Sequence, residues 1–428
     1  MSALCKKTKL GNGATLILVP MKETGSATLL VFFPVGSRQE SAALSGGSHF
    51  IEHMMFKGTK RRPDTTHISR ELDSVGAEYN AFTSKDHTGY YIKVSSAHIP
   101  LALDVLSDML SNSLFAAEEM EREKGVIIEE IRMYEDNPIM QVEDLFEEAL
   151  FPGTTLGRNI AGTVESMSAM RRAEVLRYRN FYYRPSKTVI AIAGKFPADI
   201  LSGVKKTFGA IREPRGAKPK PFRPFKLAGS YDQTPKLKLK HKETEQVQLA
   251  LGYPAYGYGD KRLPALTLLS VILGGNMSSR LFIQVRDRKG LCYYIKAGTS
   301  RYAETGSLMV QSGLKKDRLK EGVQAIVAEL QSLRQKGITK EELVRAQEFV
   351  KGKTVLNLEE TSQVADWYAR QELFLKKMLT PAQRLKEIEA VTVSAVNAVA
   401  FDIMRENRLK LGVIGPFKDD RDLRSFIA

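Results

Sequence analysis

Two periodicities divide the chain. Short apolar runs alternate with longer stretches whose apolar positions recur at helical spacing. Residues 14–19, 27–35 and 90–94 are apolar and β-prone, and 188–196 reads as a short buried strand closed by glycine. Residues 408–417 end in the same way. Lys236 to Lys240 alternates lysine and leucine, which predicts a strand with one wet face. Helices are expected over 47–56, 101–114, 117–134, 318–334 and 340–355. Strands interleaved with long helices predict an α+β architecture, with an antiparallel-rich sheet carrying helices on one face.

The pattern breaks once, at 212–228. Pro214, Pro219, Pro221 and Pro224 exclude a regular helix there and favour extended, semi-rigid backbone. This segment is expected to link a domain over 1–211 to one over 229–428. The halves resemble each other in layout. Gly194 and Gly415 close similar strands 221 residues apart, and a helix entry precedes each strand, at 164–168 and 388–392. These near-equal offsets point to a duplicated αβ unit.

Composition narrows the functional classes. Apolar content of 43% and charged content of 26% are those of an ordinary globular protein. Two cysteines, Cys5 and Cys292, cannot build a disulfide framework and fit a reducing compartment. No apolar run reaches the ~18 residues of a membrane span, and the N-terminus lacks the apolar core of a secretory signal. A cytoplasmic protein with no membrane partner is expected. The net charge of +15 raises nucleic-acid binding as a rival. However, twelve Lys/Arg fall between 205 and 242, in and around the Pro-rich segment, without an aromatic stacking platform. A solvated linker accounts for them, and no nucleic-acid partner is expected.

Residues 49–53 read His-Phe-Ile-Glu-His. On a helix, positions i and i+4 share a face, so His49 and His53 can bind one ion with Glu52 beside them. This is the inverse of the commoner His-Glu-Xaa-Xaa-His zinc helix. With 6 histidines in 428 residues, chance supplies only roughly 0.1 pairs at any fixed spacing. Two imidazoles suit Zn²⁺, which then needs a third protein ligand and an open position. The acidic stretch 118–135 offers one. Glu123 and Glu130 lie seven residues apart on one face, whereas Glu129 points about 100° away from Glu130. Glu130 is the expected ligand and Glu123 the carboxylate that orients a histidine. A solvated acidic face is the alternative for Glu123.

With these residues in view, the whole chain resembles the pitrilysin–insulinase family of zinc peptidases, in particular short bacterial members similar to the mitochondrial processing peptidase. The match runs through 47–59 and through Glu123 and Glu130, whose spacing in the family supports Glu130 over Glu129. It continues through 76–84 and through 274–282 to 290–294. The resemblance implies a bacterial source, two homologous αβ domains in a clamshell and a metalloendopeptidase with one Zn²⁺ per chain. Glu52 becomes the catalytic base, and Asn80, Ala81, Phe82 and Thr83 an edge strand that binds peptide substrate. Arg286 and Tyr293, seven residues apart, reach the substrate from the second domain. Lys85, Asp86 and His87 follow the edge strand and are expected to line the same cleft. Pairing into a homodimer is also implied, which light scattering reads directly. The rival within the family is a catalytically inactive relative serving as a scaffold or core subunit.

Overall fold

The computed structural model describes residues 5–216, 225–226, 236–419, 421 and 423. Most of the 212–228 linker therefore lies outside the described residues. The strands are β1 (Lys6–Lys9), β2 (Thr15–Pro20), β3 (Ser26–Phe33), β4 (Glu78–Thr83), β5 (Thr88–Ser95), β6 (Val189–Gly194), β7 (Leu237–His241), β8 (Gln246–Tyr256), β9 (Cys292–Arg301), β10 (Thr305–Lys315) and β11 (Lys410–Gly415). They form two sheets, ordered β1-β2-β6-β3-β5-β4 and β7-β11-β8-β10-β9.

The two sheets repeat one topology. β2 pairs parallel with β6, and β7 parallel with β11. In each sheet the remaining pairs are antiparallel, and an edge strand, β4 or β9, closes the far side. Gly194 and Gly415 end the equivalent strands β6 and β11. The duplication expected from the spacing of those glycines is thus a property of the fold.

The chain divides into two compact units, each assembled from three segments rather than from the contiguous halves 1–211 and 229–428. The first comprises Met1–Arg132, Asn159–Phe222 and Thr354–Ala382; the second comprises Met133–Arg158, Arg223–Lys353 and Gln383–Ala428. The exchange explains the unbroken apolar runs. In the first sheet, Leu16, Leu18, Leu29, Val31, Ile190 and Ile192 face the main helical layer, which includes the Ile99–Asn112 helix. The alternate residues Ile17, Val19, Leu30, Phe32, Val189 and Ala191 are buried under Val364, Ala365, Tyr368 and Leu373 of the Thr361–Leu375 helix. A sheet covered on both faces needs apolar residues at every position, so β2 and β6 do not alternate. The second unit uses the Pro138–Leu150 helix in the same way, packing Val142, Phe146 and Leu150 against Ala250 and Ile414. The main helical layer accords with expectation, and the single exchanged helix on the opposite face is the addition.

The lysines of β7, and Lys242 just after it, pair with carboxylates of their own unit. Lys238 pairs with Glu148 at 2.6 Å, Lys242 with Asp136 at 3.3 Å and Lys240 with Glu135 at 3.8 Å. None of the described helices is long and apolar enough to cross a membrane.

Candidate metal centre

The helix Gly47–Met54 places the two histidines. Phe50, Ile51 and Met54 are fully buried in the core of the first unit, which turns His49, Glu52 and His53 to the other side. Its start is fixed by a group that no sequence spacing reveals. The buried carboxylate of Glu40 accepts hydrogen bonds from the amides of Gly46 at 2.8 Å and Ser48 at 2.7 Å. Burial pushes Glu40 up to about 8, against the opposing pull of those two amides. Gly46 holds φ +90°, and a Cβ there would meet the Ala161 carbonyl oxygen at 2.4 Å, so only glycine fits.

The second contributor is the helix Ala117–Asp136. Met120, Glu123, Ile127 and Ile131 form its buried stripe at spacings of three and four, and Glu130 lies on the flank of that stripe. Glu129 points outward and pairs with Arg132 at 2.6 Å.

These elements bring three ligand atoms together. His49 Nε2 and His53 Nε2 are 3.2 Å apart, and Glu130 Oε2 lies 3.7 Å from the first and 3.6 Å from the second. Among the described residues this is the one group of His, Cys, Asp and Glu side chains with metal-binding geometry. A tetrahedral ion about 2.1 Å from each ligand atom requires edges of roughly 3.4 Å, so the triangle fits zinc. The donor set fits as well. Two imidazoles and one carboxylate leave a fourth position open, as hydrolytic zinc requires. Burial, with His53 beside it, holds His49 down to about 4, the neutral form that a ligand needs.

The two rings are oriented differently. His53 Nδ1–H donates to Glu123 Oε1 at 2.7 Å, and Lys57 Nζ donates to the other oxygen of Glu123 at 2.6 Å. Burial is the largest single influence on His53 and alone would lower its pKa, but the bond to Glu123 together with the charges of Glu123, Glu52 and Glu130 outweighs it, and the net shift is upward. Burial tends to raise Glu123, but His53 and Lys57 bring it below the usual carboxylate range. Glu123 is therefore a buried, charged partner of His53 and not part of a solvated face. His49 Nδ1 is buried without a hydrogen-bond partner among the described residues, so no polar group orients the ring from the side away from the cluster. The Glu123→Gln protein is expected to bind zinc about 10–100-fold more weakly than wild type while keeping its fold. Competition titration against a chromophoric chelator reads this directly, and unchanged affinity would show that Glu123 does not support the site.

Glu52 sits beside the cluster. Its Oε2 accepts a hydrogen bond of 2.5 Å from Thr83 Oγ1, at the end of β4. Burial raises the pKa of Glu52, and the Thr83 bond partly offsets the rise. β4 is the edge strand of its sheet, so Asn80, Ala81, Phe82 and Thr83 border an unpaired edge among the described residues. Lys85, Asp86 and His87 do not line an open surface. All three are buried, and Asp86 forms an ion pair with Arg38 at 2.5 Å. The turn that holds them folds inward under the Thr361–Leu375 helix.

Arg286 and Tyr293 belong to the second unit and come together there. Arg286 lies in a π-helical segment, Phe282–Arg288, with its guanidinium 4.5 Å from the Phe282 ring and 5.4 Å from the Tyr293 ring. Tyr293 stands on the edge strand β9 and is 78% exposed, so its hydroxyl is free to meet a ligand. The connection from β8 to β9, the counterpart of the segment holding His49 and His53, contains no histidine. Sequence reasoning missed Glu40 and Lys57. Lys57 stands one helical turn after His53, a spacing that could have flagged it.

Comparison with known proteins agrees with this division. The family model "Insulinase (Peptidase family M16)" matches residues 16–164, and "Peptidase M16 inactive domain" matches 169–350. The uncharacterized zinc protease YmxG of Bacillus subtilis is 36% identical over 96% of this chain and 98% of its own length. The uncharacterized zinc protease SCO5738 of Streptomyces coelicolor is 35% identical over 98% of this chain and 91% of its own. The crystal structure of a protease from Helicobacter pylori superposes with a TM-score of 0.88 at 24% identity, over 97% of this chain and all of that one. Relatives of this similarity along nearly the full length, and a first unit whose family model spans the His49–Glu130 cluster, establish that the chain belongs to the insulinase family of peptidases, family M16.

Proposed function

We propose that the chain is a zinc metalloendopeptidase that hydrolyses extended, unfolded peptides. The observation that carries this reading is the convergence of His49, His53 and Glu130 on one point with Glu52 at its side. Zinc held there would polarise the scissile carbonyl and lower the pKa of a bound water from ~15.7 toward ~7. Glu52 accepts the proton of the attacking water and returns it to the leaving amine, while Thr83 fixes the carboxylate. The free edge of β4 takes the substrate as an added strand. Main-chain hydrogen bonds along Asn80–Thr83 then hold extended backbone with little demand on its sequence. Tyr293 is assigned the hydrogen bond to the developing oxyanion, and Arg286 the support of substrate backbone or of Tyr293 itself.

Cleavage of an unstructured peptide tests the proposal. Wild-type protein is expected to cut it, lose activity on treatment with a chelator, and regain activity when about one equivalent of zinc is restored. A zinc-loaded protein that cuts no unstructured peptide would favour the scaffold reading instead.

A further inference from the structure

The turn between β4 and β5 carries a buried polar chain that neither the metal centre nor the peptidase chemistry uses. His87, on this turn, is 5% exposed. Its Nε2 lies 2.9 Å from Arg370 Nη1, on the exchanged Thr361–Leu375 helix, and its Nδ1 lies 2.7 Å from Ser84 Oγ. A guanidinium has only donors, so His87 Nε2 must be the acceptor. The proton then sits on Nδ1 and is donated to Ser84 Oγ. The amides of Asp86 and His87 also point at Ser84 Oγ, at 3.3 and 3.4 Å, and the Ser84 amide donates to the His87 carbonyl at 2.8 Å. Asp366 grips Arg370 with two hydrogen bonds, of 3.1 and 2.6 Å. Ring edges of Phe32, Phe82 and Phe374 enclose the imidazole at centroid distances of 5.1 to 5.9 Å. Burial and the adjacent guanidinium hold His87 down to about 3, so the ring stays neutral.

Ser84 directly follows Thr83, whose hydroxyl binds Glu52. The backbone on the other side of the turn is equally fixed. Ser84 and Lys85 carbonyls accept from the amides of Ser37 and Arg38 at 3.1 and 3.0 Å, and a Cβ on Gly36 would meet the Ser84 oxygen at 2.0 Å. One line of contacts thus runs from Asp366 through Arg370, His87, Ser84 and Thr83 to Glu52.

We propose that Arg370 and His87 are positioning residues for the peptidase reaction, through which the exchanged helix clamps the β4–β5 turn and so sets Thr83 against Glu52. The inference rests on the peptidase reading for its consequence in kcat but not for the clamp itself. A purely structural role predicts a different pattern, because a stability defect need not pass through Thr83.

The test uses His87→Phe, which keeps the aromatic enclosure and removes both nitrogens, and Arg370→Met, each alone and combined with Thr83→Val. Each single variant is expected to bind zinc as wild type does and to lose about tenfold in kcat with KM within about twofold, the scale of one hydrogen bond. Arg370→Lys is expected to recover most of that loss. In the Thr83→Val background the same changes should cost less than about twofold, because residues acting through one another are not additive. Deuterium uptake by the peptide covering 78–90 should rise in His87→Phe with the rest of the first unit unchanged. Unchanged exchange, unchanged kcat in the single variants, or losses that multiply in the double variants would overturn the proposal. If one of the two single variants does not fold, the other, with and without Thr83→Val, decides by the same rule. Wild-type protein that loads zinc yet cleaves nothing would sink the peptidase reading, and the exchange measurement would still decide the clamp.

Discussion

A Glu52→Gln protein is expected to bind zinc as wild type does and to lose about 10²–10⁴-fold in kcat. The side chains have nearly the same shape, and Thr83 Oγ can donate to an amide oxygen as it does to the carboxylate at 2.5 Å. His49, His53 and Glu130 are untouched, so metal content should not change. The amide cannot accept a proton from water at working pH, which removes the general base and the later general acid together. Metal analysis and initial-rate kinetics on the same preparation read both outcomes. Loss of zinc would place Glu52 among the ligands, and retained activity would remove it as the base.

The second large effect concerns the ligands. His53→Ala is expected to weaken zinc binding by at least about 10²-fold and to abolish chelator-sensitive cleavage. Zinc sites of four ligands bind with about 10–16 kcal/mol, so each ligand contributes about 3 kcal/mol, or about 10²-fold. Removing His53 also strands Glu123, a buried carboxylate whose remaining charged partner is Lys57 at 2.6 Å. The effect should therefore exceed that of Glu123→Gln, which keeps both imidazoles. Isothermal titration of apo-protein with zinc checks the ranking. A His53→Ala protein with wild-type affinity would exclude His53 as a ligand.

Much of the centre was legible in the sequence because its signals are local. The pair at i and i+4 with an intervening glutamate needs only a helix, and the observed helix, Gly47–Met54, ends two residues short of the expected one. Glu130 over Glu129 followed from helical spacing, and the structure turns Glu129 to Arg132 instead. β6 and β11 as equivalents were likewise readable from apolar runs closed by glycine, whereas β4 as an edge strand was implied by the family resemblance.

The rest depends on contacts far apart in the chain. Glu40 looks like any polar loop residue until the fold buries it against the start of the histidine helix. Nothing in the composition of 133–158 or 354–382 marks these segments for exchange between units. The exchange in turn inverts the expectation for Lys85, Asp86 and His87. A polar triplet after an edge strand reads as exposed, but the fold buries all three, with Arg38 pairing Asp86 and Arg370 of the Thr361–Leu375 helix satisfying the buried imidazole. The apolar runs of β2 and β6 carried a trace of this cover, since a sheet with one wet face would have alternated.

Anomalous diffraction across the zinc absorption edge, on crystals of the zinc-loaded wild-type protein, tests the central claim most directly. One peak per chain is predicted, about 2.0–2.2 Å from His49 Nε2, His53 Nε2 and a Glu130 carboxylate oxygen, with Glu52 outside bonding distance. A peak on other side chains, or none at this cluster, would contradict the account.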